Sequence, residues 1–152
     1  MAGFFLHQLI GTWFIIGTNF PMWLKGDKLS PSFTYTLTGR KGVLYDEVSY
    51  LKKGRTKVIR GYDTQDAADE SAFTWRGKGL LFIAKSKWKV RLMDEKAGWA
   101  VIWFSKTLFT PEGVDIICRD RNPTPQLIEE IKNKMLGDEL LKNYVQRIVI
   151  LK

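Results

Sequence analysis

Up to about residue 120 this chain reads as short strand-like segments, some alternating apolar and polar positions with a period of two and others apolar on both faces, and near residue 124 the period changes to that of a helix. Residues 11–18 (Gly-Thr-Trp-Phe-Ile-Ile-Gly-Thr) predict a strand with two apolar faces. Trp13, Ile15 and Gly17 fall on one and Phe14 and Ile16 on the other. A strand of this kind must be covered on both sides. Residues 32–38 set Phe33, Tyr35 and Leu37 against Thr34, Thr36 and Thr38, which gives one apolar and one polar face. Strands are also predicted at residues 43–51, 56–63 and 72–76. At residues 87–93, Trp88, Val90 and Leu92 alternate with Lys89, Arg91 and Met93. Residues 99–104 and 114–118 are apolar on both faces, and residues 80–84 form an apolar run that the pattern does not assign. Short turns such as Gly39-Arg40-Lys41-Gly42 and Lys52-Lys53-Gly54-Arg55 join these segments. Eight strands in short-linked succession predict an antiparallel barrel or sandwich.

After the strands, Thr124 and Pro125 stand where a helix cap and a first helical residue belong. Leu127, Ile128, Ile131 and Met135 follow at helical spacing, and Gly137 is a natural stop. The resulting apolar stripe needs a surface to lie on, and the outer faces of residues 99–104 and 114–118 offer one. Residues 144–151 predict a last strand. Residues 19–30 are punctuated by Pro21 and Gly26 and carry Phe20, Met22, Trp23 and Leu24. Apolar side chains in a long loop suggest either a lid over something apolar or a segment packed on the domain's own core.

One domain accounts for 152 residues. No apolar run reaches the ~18 residues that cross a bilayer as a helix. A basic n-region is missing before Phe4-Phe5-Leu6, so these residues do not predict a signal peptide. The expected location is the cytosol if Met1 begins the whole product, and the periplasm, the outside or a membrane anchor if a signal was removed. A single cysteine, Cys118, excludes an intrachain disulfide. With His7 as the one histidine, metal sites built on several His or Cys ligands are not expected, nor is a cofactor. The net charge of +8 admits an anionic partner, but the basic residues are dispersed over predicted turns. A nucleic-acid face is therefore not expected, whereas docking on an anionic membrane surface stays open.

Gly11-Thr12-Trp13 opens the first strand, Arg119 ends the eighth just before the helix, and Asp94 stands in the turn between the sixth and seventh. In these motifs, and in its strand order, helix and last strand, the chain resembles the lipocalin family. The closest likeness is to bacterial-type lipocalins and their apolipoprotein-D-like relatives. The resemblance covers nearly the whole chain. It implies an all-β, eight-stranded up-and-down barrel with one C-terminal helix packed outside and a short final strand, in a single domain. It also implies that Arg119 packs across Trp13 at the closed end, a contact worth ~0.5–2 kcal/mol.

Such a barrel either holds one small ligand or is filled by side chains. Alternation nominates Ile15, Tyr35, Trp75, Trp88, Val90, Trp99, Val101 and Trp103 for the wall, with Met22, Trp23 and Leu24 at the mouth. The same residues can equally fill a core. The expected function is to bind and carry or store a small hydrophobic molecule such as a fatty acid, a lysolipid or a pigment-like compound. The alternative is acid–base chemistry on an apolar substrate, using Asp46, Glu47 or Asp63 with Tyr45, Tyr50 or Arg60. Neighbouring residues of a strand point to opposite faces, so Asp46 and Glu47 cannot both line the interior.

Overall fold

The structure, a computed structural model, describes residues 2–78, 85–108 and 110–151. The apolar run at residues 80–84 lies outside them. A helix α1 (Ala2–Leu9) precedes strand β1 (Gly11–Thr18), and a single helical turn α2 (Pro21–Leu24) follows it. Strands β2 (Leu29–Leu37), β3 (Val43–Lys52), β4 (Arg55–Gln65), β5 (Ala72–Gly77), β6 (Lys85–Asp94), β7 (Trp99–Phe104) and β8 (Gly113–Cys118) run on in order. Each pairs antiparallel with the next, and β1 pairs with both β8 and β2, so the eight close into a barrel. The meander expected from the sequence is thus present, with strands one to three residues longer at some ends.

Helix α3 (Pro125–Leu136) begins as its sequence dictates. Thr124 Oγ1 accepts the Leu127 N–H at 3.1 Å, and Pro125 takes the first turn. Its buried stripe of Ile131 and Met135 lies with Trp99, Val101, Val114, Ile116 and Cys118 in an apolar layer outside the barrel. The predicted last strand is much shorter than residues 144–151. Residues 145–147 form a 3-10 turn, and only β9 (Val149–Ile150) pairs, with Gly17 and Thr18 of β1. Tyr144 turns in to the outer layer, where its hydroxyl donates to Glu112.

The register shifts in β2 between Leu29 and Ser32, in β1 and in β6, and two of these bulges reset the alternation at the site. One lies between Ile15 and Gly17 of β1, the other between Val90 and Leu92 of β6. A bulge adds one residue and so exchanges the faces beyond it. Gly17 therefore faces Ile116, Ile148 and Ile150 on the outside, instead of sharing the face of Trp13 and Ile15. Leu92 likewise joins the outer layer and Met93 the inner one, the reverse of the simple period-two expectation.

At the closed end Trp13 is 1% exposed, and its indole N–H donates to the Leu9 carbonyl at 2.8 Å. The Arg119 guanidinium stacks 3.7 Å from the ring centre and donates to the carbonyls of Gln8, Ile10 and Thr12. Gly11 has φ +106°, and a Cβ there would stand 2.9 Å from Arg119 Nη1. Glycine is required by both conformation and space. Asp94 caps its turn by accepting the Ala97 N–H at 2.9 Å.

Cys118 is buried between β8 and the helix layer, and burial, with the Asp120 charge, pushes its thiol up to about 12. A thiol reagent should label the native protein at least about a hundredfold more slowly than the unfolded chain, because the thiolate is the reacting form. Equal labelling rates in buffer and in denaturant would contradict this burial.

Candidate functional site

Inside the barrel lies a cavity of about 330 Å³. Its size falls at the small end of the ~300–1,000 Å³ usual for ligand pockets. Phe33 and Tyr35 of β2, Val48 of β3, Ile59 of β4, Trp88 of β6 and Phe104 of β7 face it from the walls. The rings form a continuous surface: Tyr35 stacks on Trp88 at 5.7 Å, Trp88 on Phe73 at 4.4 Å, and Phe33 meets Phe104 at 6.2 Å. Trp75 of β5 also faces the cavity. Its indole lies over Gly61, where any Cβ would collide with it. This glycine makes room for a large aromatic side chain on an inward position.

Residues 19–30 behave as a lid and as core at once. Phe20, Met22 and Trp23 line the cavity, and Phe20 and Trp23 are themselves buried. Phe20 meets Phe104 edge-on at 5.5 Å, and Trp23 meets Tyr50 at 5.8 Å. Leu24 points away and is 39% exposed, so it is not part of the mouth surface expected of it. Ile15 and Val90 are buried in the inner cluster but below the cavity surface.

Three of the expected wall residues lie elsewhere. Trp99, Val101 and Trp103 belong to the outer layer beneath α3, while Ala100, Ile102 and Phe104 turn inward. β7 is apolar on both faces, so alternation gives two sets without saying which is inside. The phase is fixed by pairing: Leu92, displaced outward by the β6 bulge, stands opposite Val101, and Met93 opposite Ala100.

Three carboxyl groups are buried in this apolar interior: Asp46, Asp63 and Asp115. Asp46 and Asp115 line the cavity. Asp46 of β3 pairs with Gly61 and Asp63 of β4 with Leu44, so the two are diagonal neighbours on the inner face. Burial pushes both up, Asp63 further because it also feels the Asp46 charge, and Asp46 Oδ1 and Asp63 Oδ2 have no hydrogen-bond partner among the described residues. Asp63 Oδ1 accepts the Trp88 indole N–H at 2.9 Å. Burial raises Asp115 to about 7, against a hydrogen bond from Thr18 that lowers it. Its Oδ1 has no hydrogen-bond partner among the described residues. Tyr35 is fully buried and raised by burial and by these three carboxyls.

The groups named for acid–base chemistry are split by the barrel wall. Glu47 pairs with Arg60 at 3.3 Å, and Tyr45 packs on Tyr62 and under Lys78, all on the outer face. Asp46 and Asp63 are inside, without the arginine that reading placed beside them. Tyr50 packs against the lid residue Trp23.

Sequence reasoning missed Phe20, Phe33, Phe104 and Asp115. Phe33 shares a face with Tyr35 by period two and was legible. Asp115 is a lone carboxylate in the otherwise apolar run Val114 to Cys118, which is itself a signal, since an unpaired acid is rarely fully buried.

No protein-family profile matches the sequence, and no curated protein sequence matches it either. Solved structures do match in fold. A siderocalin, Ex-FABP, described as functioning through dual ligand specificities, superposes with a TM-score of 0.70 at 15% identity, over 95% of this chain and 93% of that one. Lobster apocrustacyanin A1 gives 0.69 at 13% identity, over 95% of this chain and 77% of that one. Apocrustacyanin C2 gives 0.69 at 12% identity, over 99% and 84%. At these identities the likeness is one of architecture. The chain has a lipocalin-like fold.

Proposed function

We propose that this protein binds and carries a small, mostly apolar molecule in the barrel cavity. The observation that carries the reading is the cavity itself: about 330 Å³, walled by aromatic and aliphatic side chains and roofed by Phe20, Met22 and Trp23. Removing apolar surface from water contributes ~25 cal/mol per Å², so an apolar molecule gains by entering. The similarity in fold to a siderocalin described by its ligand specificities supports a carrier role. Fatty acids, lysolipids and pigment-like compounds are the first classes to try. We assign the chain to the bacterial-type and apolipoprotein-D-like branch of the lipocalins on Gly11, Trp13, Arg119 and the order of its elements.

A panel of lipids and hydrophobic dyes should contain compounds that saturate at one per barrel. Binding should change tryptophan emission, because Trp23, Trp75 and Trp88 line the cavity. It should also carry a negative heat-capacity change, the sign of apolar burial. Trp23→Ser should open the roof and speed release about tenfold or more while changing the association rate little, since affinity changes at one site appear mostly in the off-rate. The carrier reading fails if nothing in a diverse panel binds saturably.

A further inference from the structure

The walls of the cavity are aromatic, yet the acids among them are not neutralised by any basic side chain. Among the described residues, no ion pair involves Asp46, Asp63 or Asp115. One basic residue, Lys85, is among those lining the cavity, and it is exposed where β6 begins. Asp46 Oδ1 and Asp63 Oδ2 have no hydrogen-bond partner among the described residues, and the two carboxyls are diagonal neighbours on the inner face. Two buried carboxyls in one site do not both ionise freely, so one keeps its proton and the pair carries one negative charge. The neighbours facing it are Trp88, whose N–H goes to Asp63, and Tyr35. Asp115 adds a second acid from β8, three strands away around the barrel.

We propose that the molecule this cup takes is a protonated organic amine, seated with its ammonium group against the Asp46–Asp63 pair and its apolar body against the aromatic walls. This rests on the carrier reading above and narrows it.

Each competing head group does worse at the same place. An anionic head would face like charge in a low-dielectric interior, where repulsion is strong. A wholly apolar molecule would cover the acid pair without offering it a partner, which leaves a buried charge unsatisfied. An ammonium donates hydrogen bonds to a carboxylate and is attracted by the faces of Tyr35 and Trp88, which stack side by side along the wall. The exposed Lys85 is screened by solvent and leaves the buried pair as the dominant charge within.

Three probes of one shape decide the matter: naphthylmethylamine, naphthylmethanol and naphthoate, titrated by tryptophan emission and by calorimetry at neutral pH. The amine should bind about tenfold or more tighter than the alcohol, as a charge-assisted hydrogen bond does, and naphthoate should bind weakest. In the double variant Asp46→Asn with Asp63→Asn, the amine-to-alcohol ratio should fall to about one. An alcohol or acid that binds as tightly as the amine overturns the proposal and leaves the carrier reading standing. So does a ratio unaltered in the double variant. If none of the three binds and the wider panel of lipids and dyes also fails, both readings fall. The ratio measured on the unaltered protein decides the proposal even if the double variant does not fold.

Discussion

Trp13→Ala should destabilise the barrel by ~3–5 kcal/mol, the usual cost of emptying a buried aromatic site. The residue is 1% exposed, packs in the inner cluster with Leu6 and Leu9 and makes two specific contacts. Its ring lies under the Arg119 guanidinium, and its N–H holds the Leu9 carbonyl of α1. Arg119→Ala should cost less, about 1–3 kcal/mol, because its guanidinium stands partly in solvent but ties together the carbonyls of Gln8, Ile10 and Thr12. Chemical denaturation of the two single variants and the double variant measures the coupling. The expected value is ~1–2 kcal/mol, since stacking on the ring cannot survive the loss of either partner. Purely additive costs would contradict the role given to this pair in closing the barrel.

Asp115→Asn should gain stability relative to the unaltered protein as pH rises, which is the opposite of the usual loss when a buried carboxylate is replaced. Burial raises Asp115 to about 7, and an unfolded aspartate titrates at ~3.9. Between those values the native state holds a proton that the unfolded chain has given up. The contribution of Asp115 to stability is therefore present below the unfolded value and is lost as pH rises through about 7. Going from about pH 5 to about pH 8, the stability of Asp115→Asn relative to the unaltered protein should rise by ~2–3 kcal/mol. Thermal or urea unfolding of both proteins at the two pH values gives the number. A difference independent of pH would mean that Asp115 is not held protonated in the native barrel.

The same acid shows why the candidate site was only partly legible. Tyr35, Trp88 and Phe33 announce themselves by alternation on strands with one polar face, because only one phase buries the rings. Trp23 and Met22 announce themselves by being large and apolar in a loop. β7 gives no such clue. With Trp99, Val101 and Trp103 on one face and Ala100, Ile102 and Phe104 on the other, either set satisfies the pattern. Nor does any local pattern say that Asp46 and Asp63, seventeen positions apart by number, lean on each other. That follows from the register of β3 on β4.

What the sequence determined by itself was therefore the set of elements: eight strands from alternating or two-sided apolar runs between turns, and one helix from Thr124, Pro125 and its apolar stripe, while the closure of the barrel by Gly11, Trp13 and Arg119 came from the resemblance to lipocalins. Local sterics, capping and side-chain patterning act within a few residues or through a single strong contact, and they are written in the chain. The tertiary structure alone decided the phase of the two-sided strands. Two bulges exchanged the faces of β1 and β6, and α3 then took Trp99, Val101 and Trp103 into the outer layer. A bulge forms where pairing with a distant strand favours it, so its place depends on the partner rather than on the strand's own residues. By sending two tryptophans outward, that choice left space within the barrel, and the register that came with it put three acids without a basic partner into its interior, two of them on the cavity wall.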